Sequence, residues 1–230
     1  MDIKSKLKSN QLIRKIYDTF YGNRKVKKIL KQRREKLQSD GMDIVNKIEL
    51  ALNGSGGMYF IAYGSLLGLY RDGKFMDYDD DLDYGVFISE EFTWDILEEL
   101  LTNAGLEKKK EFWYKDEIAE QTYYMNDVPI DFFGFYSEKD YSIGKSFIRI
   151  KGKKYNSDEE FSYAINKFDK IDKVKKISIN GYEVSVPNNV ENFLECAYTS
   201  NWNIPDAKWN DNYNPLYKIY DDEIGIEKNL

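Results

Sequence analysis

The run MDYDDDLDYG, residues 76–85, sets Asp77, Asp79, Asp80, Asp81 and Asp83 within ten positions, and carboxylates that close repel one another. A fold that gathers them must leave them in water or supply a counter-charge. A divalent cation would reverse the balance, since Mg²⁺ is held by one or two carboxylates together with substrate phosphates. The chain contains no histidine. That removes Ser-His triads, Cys-His pairs and His-ligated zinc together, leaving carboxylates, lysine, tyrosine or a metal to carry chemistry.

A chain of 230 residues, 42% hydrophobic and 16% aromatic, can bury a sizeable core. We expect one catalytic domain with helical additions. The 32% of charged residues argues against a membrane span, and the apolar stretch MYFIAYGSLLGLY is too short to cross a bilayer. MDIKSKLKSNQLIRK has no apolar segment after its lysines, so no secretory signal is expected and a cytoplasmic location is the default. A single cysteine, Cys196, excludes an internal disulfide and sits in the helix-like NVENFLECAY as a packing residue.

Charge is unevenly placed. Residues 1–36 hold thirteen Lys/Arg against Asp2, Asp18 and Glu35, a net of +10, so the remainder carries −16 within the overall −6. Ile13, Ile16, Tyr17 and Phe20 add an apolar stripe beside these lysines. Two readings stay open for the arm: a solvated helical face, or peripheral contact with an anionic membrane at its inner face. The acidic body would repel nucleic acid.

Along the chain, residues 25–53 predict a helix, open to interruption near Asp40 and Gly41, with Ile44, Val45, Ile48 and Leu52 as core positions. GSGG at 54–57 is a break, MYFIAYG a buried strand, and SLLGLYRDG a short helix with Ser65 as N-cap and Gly73 at its end. LDYGVFI is a second strand, followed by a helix opened by Ser89 with Glu90 and Glu91 in its first turn. KKKEFWYK, EQTYYMN and VPIDFFGFY suggest antiparallel strands, and SFIRIKGKKY a further one. Asn180-Gly181 between alternating runs signals a hairpin, and NVENFLECAYTS a last helix. Beyond Trp202 the sequence shows no period.

Strand alternation points Asp81 and Asp83 to one face, within about 7 Å, where they could share a cation. The strand leading into Gly64-Ser65 at a helix start leaves backbone N–H groups free for a phosphate, and glycine permits its close approach. Asp131 interrupts an apolar strand, where an unpaired charge would be costly. It could complete a metal site or act as general base.

A strand, Gly-Ser, a helix, an Asp-x-Asp strand and a lone Asp on a later strand together resemble the nucleotidyltransferase fold shared with polymerase beta. More closely, YGSLLGLYRDGKFMDYDDDLDYGV resembles the LicD family, whose members carry Gly-[Ser/Thr]-Leu-Leu-Gly-x-x-Arg and then Asp-Asp-Asp-[Ile/Leu]-Asp. Gly64, Ser65, Leu66, Leu67, Gly68 and Arg71 match the first part; Asp79, Asp80, Asp81, Leu82 and Asp83 match the second. NGYEVSVPNNVENFLECAYTSNWNIP is similar to the family's closing pattern of Val-Pro, a helix, then Tyr and Trp before Pro. The resemblance spans about residues 59–205. Asp77-Tyr78 stands where the family usually has Pro-Trp, and no residues suited to a structural zinc are present.

The resemblance implies an α+β fold: a nucleotidyltransferase-type mixed sheet flanked by helices, with a basic helical extension at 1–53, a catalytic domain at 54–205 and a tail at 206–230. It implies transfer of phosphocholine or a polyol phosphate from a CDP-activated donor to a hydroxyl of a cell-surface glycan or its lipid-linked precursor. Asp81 and Asp83 would hold Mg²⁺ or Mn²⁺, with Asp131 as third ligand or proton acceptor. Gly64 and Ser65 would bind donor phosphate. Arg71 would bind phosphate or pair with Asp79 or Asp80, and Lys74 is a further donor contact. Asp80 is expected to hold the loop. Trp113, Tyr114, Tyr123 and Tyr124 suit a quaternary ammonium or, more simply, the core or a sugar face. Two other functions stay open: a nucleotidyltransferase releasing pyrophosphate from an NTP, and a non-catalytic scaffold in glycan assembly.

Overall fold

The computed structural model describes residues 23–150, 152–206 and 214–230. The stripe at Ile13–Phe20 lies outside them. Helix α1, Asn23–Leu52, is continuous over 30 residues. Gly41 does not interrupt it, because the glycine makes room for another chain segment: a β-carbon there would sit 2.5 Å from the Phe75 ring. Leu37, Ile44, Val45, Ile48 and Leu52 are buried on one face.

Strand β1 (Tyr59–Ile61) runs into α2 (Tyr63–Asp72), then β2 (Leu82–Phe87) and α3 (Trp94–Asn103). Ser89 does not open α3 as expected. Its hydroxyl accepts the N–H groups of Glu91 and Phe92 in a preceding turn, and Thr93 caps the helix by accepting from Ile96. Glu90 and Glu91 therefore precede the helix, and Asp95 is the acid in its first turn.

Strands β3 (Glu107–Tyr114), β4 (Glu117–Met125) and β5 (Val128–Ser137) form the expected antiparallel meander. Next come β6 (Tyr141–Ile148) and β7 (Glu160–Asp169); the first begins upstream of the expected position, and the second has no counterpart in the sequence reading. The hairpin β8 (Val174–Ile179) and β9 (Tyr182–Pro187) turns at Asn180-Gly181, both at positive φ. Helix α4, Val190–Tyr198, is capped by Asn189. Finally Tyr217–Asn229, expected to be an aperiodic tail, is strand β10.

The large sheet has the order β1-β2-β5-β4-β3-β10-β7-β6 and is mixed, with β2 and β5 parallel. A further β5–β6 pairing joins the far strand back to the middle, so six strands form a closed ring of pairings. Strand β10 sits inside that ring, between β3 and β7.

Helix α1 packs against α3, β5 and β9. Buried Glu49 ties α1 to β9, accepting the Ser185 N–H at 2.8 Å and its hydroxyl at 2.7 Å. Phe60, Phe135 and Phe168 pack ring on ring with Phe193 of α4. Cys196 is buried there with its thiol raised by burial, as a packing residue should be. Among the described residues no helix is long and apolar enough to cross a membrane.

Candidate functional site

The parallel register of β2 with β5 sets Asp83 directly opposite Asp131. Asp81 precedes β2 by one residue and turns to the same side. One carboxylate oxygen from each of Asp81, Asp83 and Asp131 lies within 4.8 Å of the others. Three residues separated by up to fifty positions are thereby gathered at the end of one strand pair.

Burial pushes the Asp81 carboxyl up to about 7, helped by repulsion from Asp131, Asp80 and Asp79. Asp83 is raised well above its ordinary value by burial, then by Asp81 and Asp131. Asp131 rises to about 6, chiefly from burial, although the Thr122 hydroxyl donates to its Oδ1 at 2.6 Å and favours the charged form. Ionising all three needs a compensating positive charge. Three converging hard oxygens fit a divalent cation such as Mg²⁺ or Mn²⁺, and of the three residues Asp83 lines a cleft. Asp79 is raised to about 6 by burial, and its buried Oδ2 has no hydrogen-bond partner.

The N-terminus of α2 faces this cluster. A β-carbon on Gly64 would lie 3.6 Å from Asp83 Oδ2 and 3.7 Å from Asp79 Oδ1, so glycine keeps the space before the acids open. Ser65 is not the N-cap. That position belongs to Ala62, and buried Ser65 instead accepts the Asp83 N–H on its Oγ at 3.0 Å. Its role is to pin the strand that carries Asp83. Gly73 ends the helix in the left-handed conformation, as expected.

A cleft of about 900 Å³ opens between these elements, bounded by Gly64, Arg71, Asp79 and Asp83 on one side and Tyr198, Thr199 and Trp202 on the other. Its backbone is strained: Tyr63 sits at φ 41° and Thr199 at φ 68°, ψ 176°, conformations that side-chain-bearing residues rarely adopt. Arg71 lines the cleft, but its guanidinium grips neighbouring Asp72 through Nε (3.0 Å) and Nη2 (2.7 Å), neither Asp79 nor Asp80. Lys74 pairs with Asp77 at 3.0 Å on an exposed turn. Asp80 is held by Arg33 of α1 at 3.8 Å, and Arg33 also donates to the Tyr124 hydroxyl at 2.5 Å.

Trp113, Tyr114, Tyr123 and Tyr124, the four aromatic residues weighed for a quaternary ammonium, do not border this cleft. Tyr123 is in the core, Tyr114 stacks on Tyr163 at 3.8 Å, and Trp113 lines a separate recess with Trp94 and Tyr136. The aromatic groups at the cleft are Tyr63, Tyr78, Tyr198 and Trp202. Tyr198 and Trp202 belong to the closing Tyr/Trp pattern, which was the signal for them. Arg33 and Thr122 had none, because their roles depend on a helix crossing and a cross-strand register.

Three carboxylates within reach of one cation, beside a helix N-terminus in a mixed α/β domain, define a class of site suited to holding a metal against an anionic group. Residues 56–189 match the model of the LicD/FKTN/FKRP nucleotidyltransferase domain, and the chain belongs to that family. It is 29% identical over 159 residues to ribitol-5-phosphate transferase FKTN of Homo sapiens and to that of Macaca fascicularis, covering 69% of this chain and 32% of each relative. The corresponding Mus musculus protein is 29% identical over 152 residues. The chain thus spans about a third of the length of these relatives.

Proposed function

We propose that the chain transfers a phosphoryl alcohol, ribitol phosphate before phosphocholine, from a CDP-activated donor to a hydroxyl of a cell-surface glycan or its lipid-linked precursor. The acidic triad carries this reading: its oxygens converge within 4.8 Å beside the N-terminus of α2. Family membership and the relatives' ribitol-5-phosphate transferase name support the transferred group.

On this reading the acceptor oxygen bonds to the phosphorus that bears the alcohol, and the bond from that phosphorus to CMP breaks. CMP leaves with the electron pair, and the acceptor proton passes to a carboxylate. Asp81 and Asp83, with Asp131, would hold Mg²⁺ or Mn²⁺, which neutralises charge on the leaving phosphate. Asp131 is steadied by Thr122 through Oδ1, leaving Oδ2 for the cation or the acceptor proton. Gly64 offers the donor phosphates an open approach to backbone N–H groups, and Ser65 fixes the Asp83 backbone. Arg71 would exchange Asp72 for donor phosphate. Lys74, exposed and paired with Asp77, is the weaker donor contact. We assign the activity to residues 54–205, completed by β10.

The test is a thermal-shift series with Mg²⁺ and CDP-choline, CDP-ethanolamine, CDP-glycerol, CDP-ribitol, UDP-sugars and the four NTPs. A metal-dependent rise confined to one CDP compound, with CMP release on adding acceptor, supports the transferase. A rise only with NTPs indicates nucleotidyl transfer. No rise from a folded protein indicates a scaffold.

A further inference from the structure

A second cleft, of about 290 Å³, meets the first at Tyr63, Asp83 and Tyr198, which line both. Its wall is formed by β6 and β7. Asn166 lies opposite Gly144 and Ser146 opposite Ala164, so Ser146 and Asn166 are diagonal neighbours on one sheet face. Both line the cleft. Ser146 Oγ and Asn166 Oδ1 are buried without a hydrogen-bond partner, and Asn166 as a whole is only 5% exposed.

Buried polar atoms are almost always satisfied, and orphans call for an explanation. Two orphans in one recess, beside the aromatic rings of Phe133, Phe147, Tyr198 and Tyr217, have a common one. A hydroxyl and an amide among aromatic faces match a polyhydroxylated ring or chain, which offers apolar C–H faces for stacking and O–H groups for hydrogen bonds. A nucleotide's phosphates find nothing basic among the lining residues of this recess. Gly144 adds to the shape: a β-carbon there would stand 2.6 Å from the Tyr63 hydroxyl, so glycine lets the strained Tyr63 reach across the junction of the clefts.

We propose that this second cleft is the acceptor subsite: a sugar or polyol hydrogen-bonds Ser146 and Asn166, lies against Phe147 and Tyr198, and presents one hydroxyl at the Asp83 junction. The assignment rests on the transferase reading above, and gives the two substrates separate entrances that converge on one carboxylate.

Three preparations test it: wild type, Ser146→Ala, which deletes one hydrogen-bonding oxygen, and Ser146→Phe, which fills the recess. With Mg²⁺ and the CDP donor identified by thermal shift, slow CMP release in water reports donor chemistry alone, and transfer to a panel of hexoses, N-acetylhexosamines and ribitol reports the acceptor. The expected result is an acceptor KM raised about 10-fold in Ser146→Ala and transfer abolished in Ser146→Phe, with CMP release into water unchanged. Wild-type transfer by folded Ser146→Phe, or by both variants, overturns the assignment, as does loss of donor binding in parallel with transfer, which would make the recess part of the donor site. Should Ser146→Phe not fold, the KM of Ser146→Ala decides alone. If wild type releases CMP from no donor, the transferase reading fails by itself. The subsite is then judged by saturation-transfer NMR with the same sugars: a signal lost in Ser146→Ala upholds it, and no signal from wild type, or one unchanged in the variant, overturns it.

Discussion

Metal-free protein should lose stability as pH rises from 4 to 8, and Asp81→Asn should remove much of that loss. The Asp81 carboxyl is raised from its ordinary 3.8 to about 7, so between those values the folded state binds a proton that the unfolded chain has released. Stability then falls with rising pH across the window; the penalty is absent below about 4 and complete above about 7. A shift of about three units corresponds to roughly 4 kcal/mol at about 1.4 kcal/mol per unit. Solvent reaching the cleft and relief shared with Asp83 and Asp131 reduce this to about 2 kcal/mol, or some 4–8 °C in Tm for a chain of this size. Asp81→Asn should therefore melt higher than wild type by that amount at pH 8 in chelator, and level with it at pH 4. Mg²⁺ at a hundred times its Kd should restore about 2.7 kcal/mol to wild type and little to the variant. Scanning calorimetry of both proteins at pH 4, 6 and 8, with EDTA and with Mg²⁺, makes the comparison. A variant less stable than wild type at pH 8 in EDTA would refute the claim that the acids are held against their own repulsion.

Gly68→Ala places a β-carbon 2.8 Å from the Lys74 carbonyl oxygen and 3.0 Å from the Met76 nitrogen, both backbone; urea titration should show a loss of about 1–3 kcal/mol, with the loop bearing Asp79 displaced. Glu49→Ala strips the Ser185 N–H and hydroxyl of their acceptor inside the core, at about 2–4 kcal/mol by the same assay. Deleting residues 214–230 removes β10 from between β3 and β7. Gel filtration should then show aggregate, because two strands are left with unpaired edges in mid-sheet.

What the sequence disclosed and what it hid divide on physical grounds. The hairpin at Asn180-Gly181 and the core face of α1 were legible because each is written by neighbours a few positions apart. Asp81, Asp83 and Asp131 were legible too, the first two through strand alternation and the third as a charge within an apolar run. Strand β10 was hidden because Asp221, Asp222 and Glu223 break its alternation. The structure absorbs these three acids in a bulge, its register with β7 jumping from Tyr220 to Ile224. Ser65 misled because serine before a helical run reads as a cap. The helix starts two residues earlier, and the hydroxyl is spent on the Asp83 backbone.

The same distinction orders the site itself. The acids announce themselves because a cluster of like charges has no local justification, whereas the groups that position them carry no local oddity. Thr122 is one threonine in a strand until the register of β4 with β5 sets it opposite Asp131. Arg33 is one cation among thirteen in the first 36 residues until α1 crosses the loop and brings it to Asp80. Ser146 and Asn166 become a pair only through β6 and β7, and their unsatisfied atoms are visible only once the sheet has closed around them. Chemistry that depends on charge density is therefore readable in the chain, and chemistry that depends on cross-strand geometry is not. That is why the acidic cluster could be named from sequence, while the recess proposed for the acceptor required the fold.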